Sequence, residues 1–367
     1  MQSIITIFRE VRDPRDCNSR YELAAMLFMA LAGTLCGAKS AVDIADFAAA
    51  NAATLGEIVD LPHGTPSHDS FSRLFRLLDP EQLHGAMVRF TAALREALGL
   101  GPAKGVVAID GKSLRRGYER GRSCMPPLML SVWDAETRLS IAARRAPGGN
   151  EVGATLAVLA SLSLKNCIVT ADALHCHPKM AEGVRAAGAH YALGLKANHE
   201  PLYRAACEAF AKADAAGKLQ SYEFTERGHD RRERRCIAVV SKPATAPAFP
   251  GLVAFARIQA ERVLADGKTT NAVRYVALSK RLPLPVLLEV IRIHWSVENQ
   301  LHWPLDLVFR EDDARTRKDH GPENLAVLRR FALNILRAHP ADRSIARKMK
   351  LAAWSREFFF ELFTHMR

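Results

Sequence analysis

Two short runs constrain this chain more than any other feature. Residues 105–111 (GVVAIDG) and 166–174 (NCIVTADAL) are almost continuously apolar and too short to form an amphipathic helix. Strands of this kind are buried on both faces, which requires a sheet with helices packed on each side. Each run also delivers a carboxylate at or near its end, Asp110 and Asp172. In open sheets ligands bind beyond the strand tips, so two such acids can share one rim. The alternative is that each aspartate caps a turn, and the strands alone leave the two readings about evenly matched.

The rest of the chain supplies the covering elements. From about Tyr21 to Leu100 the pattern is helical, with a break at Asp79-Pro80 and a stop at Gly99. GLGPAKG is a linker, and two strands joined at Asp134 to Thr137 follow the first apolar run. NEVGATLAVLASLSL reads as a helix capped by Asn150. HPKMAEGVRAAG reads as a helix and HYALGLKAN as a strand. Short β-like runs return from about Ser221 to Ser279 and look inserted. One long helix, LPLPVLLEVIRIHWSVENQLHW, and another, GPENLAVLRRFALNILRAH, come after them. Strands alternating with helices imply an α/β fold. The expected domains are a helical segment 1–100, a sheet domain 104–340 with a β-rich insertion at about 220–280, and a helical tail 341–367.

At 367 residues the chain has room for about two cores. Lys and Arg number 51 against 39 Asp and Glu, a net charge of +12 that favours polyanionic partners such as nucleic acid. The seven cysteines are scattered and contain no C-x-x-C, so neither a disulfide framework nor a zinc ribbon is indicated and a reducing cytosol is expected. The longest apolar run, Leu23 to Ala38, is shorter than the roughly 18 residues of a spanning helix, and acidic residues before it rule out a signal peptide. No membrane role is expected.

A third acid sharpens the reading of the strand tips. On the long helix, Glu298 stands four residues from both His294 and His302, with Trp295 and Asn299 nearby, while Glu289 lies two and a half turns away and is read as solvated. His294, Glu298 and His302 could bind one zinc, but H-E-x-x-H is absent. The HCH of His175 to His177 is better read as a local polar cluster, since adjacent side chains diverge. No Walker A, G-x-G-x-x-G or G-x-S-x-G element is present, which leaves nucleotide-cofactor and serine-hydrolase readings without support.

An Asp ending a first strand, an Asp after a later strand and a Glu on a late helix together resemble the DDE triad of ribonuclease-H-like transposases. AIDGKSLRRG, IVTADALHCH, YALGLKANH and IHWSVENQLHWPLDLVFREDDARTRKDHGPENLAVLRRFALN are similar to the bacterial insertion-sequence branch of the H-repeat-associated proteins. The resemblance runs from about Val11 to His339. It implies a ribonuclease-H-like mixed sheet and catalytic, metal-ligating roles for Asp110, Asp172 and Glu298. Related transposases carry a Tyr, Arg, Glu, Lys signature around the last acid; the corresponding places here hold Ile291, His294, Glu298 and Leu305, so only the glutamate is retained.

The activity so implied is metal-dependent cleavage at insertion-sequence ends and strand transfer into target DNA, with two Mg²⁺ ions, or Mn²⁺ in their place. Lys112, Arg115, Arg116, Lys196, Asn198, His294, Asn299 and His302 are the candidate DNA contacts. RGHDRRERR, residues 227–235, is a second basic patch. A homodimer or larger assembly on DNA, in a bacterial cytoplasm and nucleoid, is expected. Two other readings stay open: a metal-dependent nuclease that cuts without joining, and a DNA-binding relic without catalysis.

Overall fold

The computed structural model describes residues 4–118, 125–228, 231–264 and 266–364. Cys124, and His229 and Asp230 of the second basic run, lie outside the described residues. Among the described residues, nine strands form one mixed sheet in the order β3-β2-β1-β4-β5-β9-β8-β7-β6. They are β1 Val106–Ser113, β2 Leu128–Asp134, β3 Leu139–Ala146, β4 Ile168–Ala171, β5 His190–Leu195, β6 Ser221–Gly228, β7 Arg231–Ser241, β8 Ala254–Leu264 and β9 Thr269–Leu278. β1, β4 and β5 pair in parallel, whereas β2 with β3 and the run from β5 through β9, β8 and β7 to β6 are antiparallel. The order 3-2-1-4-5 with helices between its parallel members is the ribonuclease-H-like arrangement that the family resemblance implies. The insertion extends that sheet past β5 as a four-stranded meander.

The chain divides into two compact units. The first comprises residues 1–102, 111–154 and 297–367. Its N-terminal part holds α1 Ile4–Arg9, α2 Leu23–Leu35, α3 Ala41–Ala50, α4 Ala52–Leu55, α5 His68–Leu77 and α6 Pro80–Ala97. The breaks have local causes. Ser40 and Asp43 form a reciprocal capping box at the start of α3, and Asp79 caps α6 with Pro80 in its first turn. α2 is buried along its whole length, which explains an apolar run too short to span a membrane. No described helix is long and apolar enough to cross one.

The unit is organised around a late helix, Gly321–Ala338, buried from Gly321 to Leu336. Phe331 on it packs against Phe8 at 5.7 Å and Phe90 at 4.9 Å between ring centroids. Asn334 pins the same helix to β3: Ser140 N–H donates to its Oδ1 at 2.9 Å and its Nδ2 donates to the Ser140 carbonyl at 2.8 Å. A buried amide satisfied on both sides fixes one register, because any slip orphans two backbone groups.

The second unit comprises residues 103–110 and 155–296. α7 Glu151–Ala160 begins in one unit and ends in the other, and Asn150 caps it by accepting from Gly153 N–H at 2.9 Å. α8 Pro178–Ala186, α9 Glu200–Ala215 and α10 Leu284–Ile293 complete the second unit. Here the structure corrects an expectation. The helix read as continuous from residue 282 to 303 ends at Ile293, and the chain turns at His294 and Trp295.

Candidate active site

The rim of the sheet begins with β1 and β4. Ile109 pairs with Ala171, so Asp110 and Asp172 each follow the paired residues by one position. Asp110 is half-buried and Asp172 is exposed. Asp172 also does what the turn-cap reading describes: its Oδ1 accepts from Leu174 N–H at 3.0 Å and starts a short turn, Ala173–His175. The cap orients an exposed carboxylate rather than removing it, so the two readings coexist.

That turn is held from β5. Asn198, just past the strand, donates from Nδ2 to the Ala173 carbonyl at 2.7 Å. Its amide is therefore engaged with backbone beside Asp172, although the residue remains exposed. Gly194 on β5 is a functional position that residue reading missed. A Cβ there would meet Ala173 N at 3.0 Å and the Asp172 carbonyl carbon at 3.2 Å, both backbone atoms. Only glycine allows the Asp172 turn to sit this close to the strand. Lys196 stands exposed at the tip of β5.

His294 belongs to this rim as well. Its Nδ1 lies 3.1 Å from Thr170 Oγ1 on β4, in a hydrogen bond. Burial pushes its pKa down to about 4, against the attraction of Asp172 and with the help of His175. The ring is thus neutral at physiological pH. His294, read as a zinc ligand with Glu298 and His302, instead engages Thr170 through Nδ1.

In the first unit, Glu298–His302 forms a π-helical turn that runs into α11, Trp303–Leu307. Single π turns are uncommon and concentrate at functional sites. Glu298 is 62% exposed along its side chain, and its Oε2 lies 2.9 Å from Nδ1 of the buried His302. Burial holds the His302 pKa below the usual value, opposed by the Glu298 hydrogen bond and reinforced by the charges of Arg330 and Lys112. His302 is therefore a partner of the glutamate rather than a surface contact. Asn299 is exposed beside it.

The basic cluster after Asp110 departs from expectation. Lys112 is only 7% exposed, with its ammonium 2.7 Å from Asp306, 2.6 Å from Asp312 and 3.8 Å from Glu311. It is committed to carboxylates and has no open face for phosphate. Arg115 and Arg116 also meet acids, Asp312 at 3.1 Å and Asp313 at 3.8 Å, but they remain 78% and 51% exposed. Exposed pairs of this kind exchange easily for a phosphate.

The donor chemistry of the acids fits a hard divalent ion. Asp110, Asp172 and Glu298 offer carboxylate oxygens, and two of the three are open to solvent, as an ion that keeps some of its waters requires.

The chain matches the DDE_Tnp_1-associated family over residues 5–91 and the Transposase DDE domain family over residues 101–335. It is 30% identical over 351 residues to "Putative protein YbfL" of Escherichia coli, covering 92% of this chain and 91% of that one. It is 29% identical over the same length to the "H repeat-associated putative transposase YhhI" of the same organism, with the same coverage. Among solved structures, a piggyBac transposase synaptic complex with hairpin DNA aligns over 99% of this chain and 80% of that one, at 13% identity and a TM-score of 0.42. Sequence similarity of this extent establishes that the chain belongs to the DDE transposases of bacterial insertion sequences.

Proposed function

We propose that the protein cuts DNA at the ends of an insertion sequence and joins them to a target, using Asp110, Asp172 and Glu298 as metal-binding catalytic residues. The observation that carries this reading is the pairing of Ile109 with Ala171, which aligns the two aspartates at one end of parallel strands. Glu298 enters by family resemblance and by its place on an exposed π turn. His302, whose Nδ1 lies 2.9 Å from Glu298 Oε2, is a candidate to share its ion. Mg²⁺, or Mn²⁺ in its place, would supply Lewis-acid polarisation of the scissile phosphate and activation of the attacking water.

The protein side chains have their own tasks. Asp172, oriented by its cap and by the Asn198 bond beneath the turn, presents one carboxylate in a fixed direction. Arg115, Arg116, Lys196 and Asn299 are exposed and would grip the phosphodiester backbone, which positions a duplex without reading its sequence. The N-terminal helical segment is the candidate for end recognition or subunit contact, and the β6–β9 meander carries further arginines for DNA. A homodimer or larger assembly would hold two ends together. Work in a bacterial cytoplasm, on the nucleoid, follows from a DNA substrate.

The test is a strand-transfer assay with a pre-cut element end, a supercoiled target plasmid and Mg²⁺. Joined product from the wild type and none from Asp110→Asn is the expected result. Cleavage without joining would identify a nuclease, and binding without either reaction a relic.

A further inference from the structure

We infer that Lys112 is a positioning residue, a buried cationic strut that ties the helical turn bearing Glu298 to the strand bearing Asp110. The inference rests on the metal reading above and assigns Lys112 a task other than gripping DNA. Lys112 lies two residues past Asp110 on β1, the same-face spacing of a strand. Its ammonium reaches Asp306 at 2.7 Å and Asp312 at 2.6 Å. Asp306 lies four residues beyond His302, which itself lies four beyond Glu298 and hydrogen-bonds to it. One cation thus clamps the segment downstream of the glutamate at a single point.

The clamp is anchored from behind. Glu311, fully buried, receives Arg330 Nη1 at 3.0 Å, and Arg330 Nε donates to Ser131 on β2 at 3.1 Å. Arg310 takes a left-handed backbone, φ 55°, to turn the chain from α11 into the acidic stretch Glu311–Asp313. Few non-glycine residues adopt that conformation, so the turn depends on the ion pairs that Glu311 and Asp312 make immediately after it. Lys112 therefore faces two nearby, partly exposed carboxylates and a buried third behind them, with Arg330 balancing the deepest. Groups that orient a ligand from outside typically set metal affinity by about 10–100-fold.

The experiment uses the full-length protein with Lys112→Gln and Asp306→Asn. Asp306→Asn keeps the Lys112–Asp312 pair and nearly the same shape, so it carries the test if Lys112→Gln unfolds. Mn²⁺ binding is read by electron paramagnetic resonance of the free ion, and binding to a plain duplex is read without metal across a salt series. Both variants are expected to bind Mn²⁺ about 10–100-fold more weakly while duplex affinity and its salt slope stay unchanged. Cleavage should then need more Mg²⁺ but recover its kcat at saturation. Wild-type Mn²⁺ affinity in Asp306→Asn overturns the strut, as does a salt slope reduced by about 0.9 in a folded Lys112→Gln, which would make Lys112 a phosphate contact. Absence of Mn²⁺ binding in the wild type overturns the metal reading itself, a distinct failure.

Discussion

Ile109 and Ala171 face each other across the parallel pairing of β1 and β4, and Asp110 and Asp172 are the residues that follow them in the chain. Two carboxylates delivered side by side repel unless a cation lies between them. Asp110→Asn and Asp172→Asn are therefore expected to abolish Mg²⁺-dependent cleavage, a loss larger than the about 10–100-fold typical of residues behind a metal ligand. Duplex binding without metal should survive. A nicking assay paired with a gel shift checks both, and normal cleavage by either variant would remove that aspartate from the mechanism.

Gly194 offers a test of the Asp172 turn that touches no acid. A Cβ at this position meets backbone 3.0 Å away, so neither partner can yield by a rotamer change. Gly194→Ala is expected to cost about 1–3 kcal/mol of stability, the usual penalty for overpacking. It should also lower cleavage by displacing Asp172. Thermal unfolding and single-turnover rates measure the two effects, and a variant with wild-type values of both would show that the close approach is dispensable.

Arg115 and Arg116 differ from Lys112 in being largely open to solvent. Replacing both by Ala is expected to weaken binding to every duplex sequence alike. The slope of log affinity against log salt should fall by roughly 0.9 for each phosphate the protein no longer neutralises. Binding measured from low to high salt decides the matter, and a steeper loss for one sequence would point to base reading instead.

His294 gives a pH dependence with a defined sign. Its folded pKa, about 4, lies below the ordinary 6.5 because of burial, so the fold favours the neutral ring. The stability this contributes is complete above pH 6.5 and is lost as pH falls from 6.5 toward 4. Melting temperatures across that window should drop more for the wild type than for His294→Gln. A proton-titration curve of the His294 ring centred near 6.5 would contradict the assignment.

Much of this architecture could be read from residues alone, and the exceptions share a cause. β1 and β4 were legible because burial on both faces leaves a continuous apolar run, and the Asp79–Pro80 break because caps are local. The partners of Lys112 were not, since Asp312 lies 200 residues away and no short window links a lysine on a strand to acids after a late helix. Beside an aspartate and two arginines, the lysine reads naturally as a phosphate contact; burial reverses that. The break at His294–Trp295 was hidden for another reason. Apolar Ile293, Val297 and Leu301 keep helical spacing through it, so periodicity runs on where the hydrogen-bond ladder does not. α9 was overlooked, although its helix formers are plain once Pro201 is recognised in the first turn.

The π turn at Glu298–His302 also bears on how this stretch of chain can change in length. Such a turn holds one residue more than an α-helical turn, so deleting a residue there would convert it to ordinary helix instead of breaking it. Because the wide turn absorbs the extra residue, everything downstream would keep nearly the same bearing, and Asp306 would stay near the Lys112 ammonium while Glu298 and His302 lost the turn that sets them apart. Insertions and deletions are usually absorbed in loops, and this protein has loops that can take them. Between Glu298 and Asp306 the chain could lose one residue without turning Asp306 away, so what the extra residue provides is the wide turn that presents Glu298.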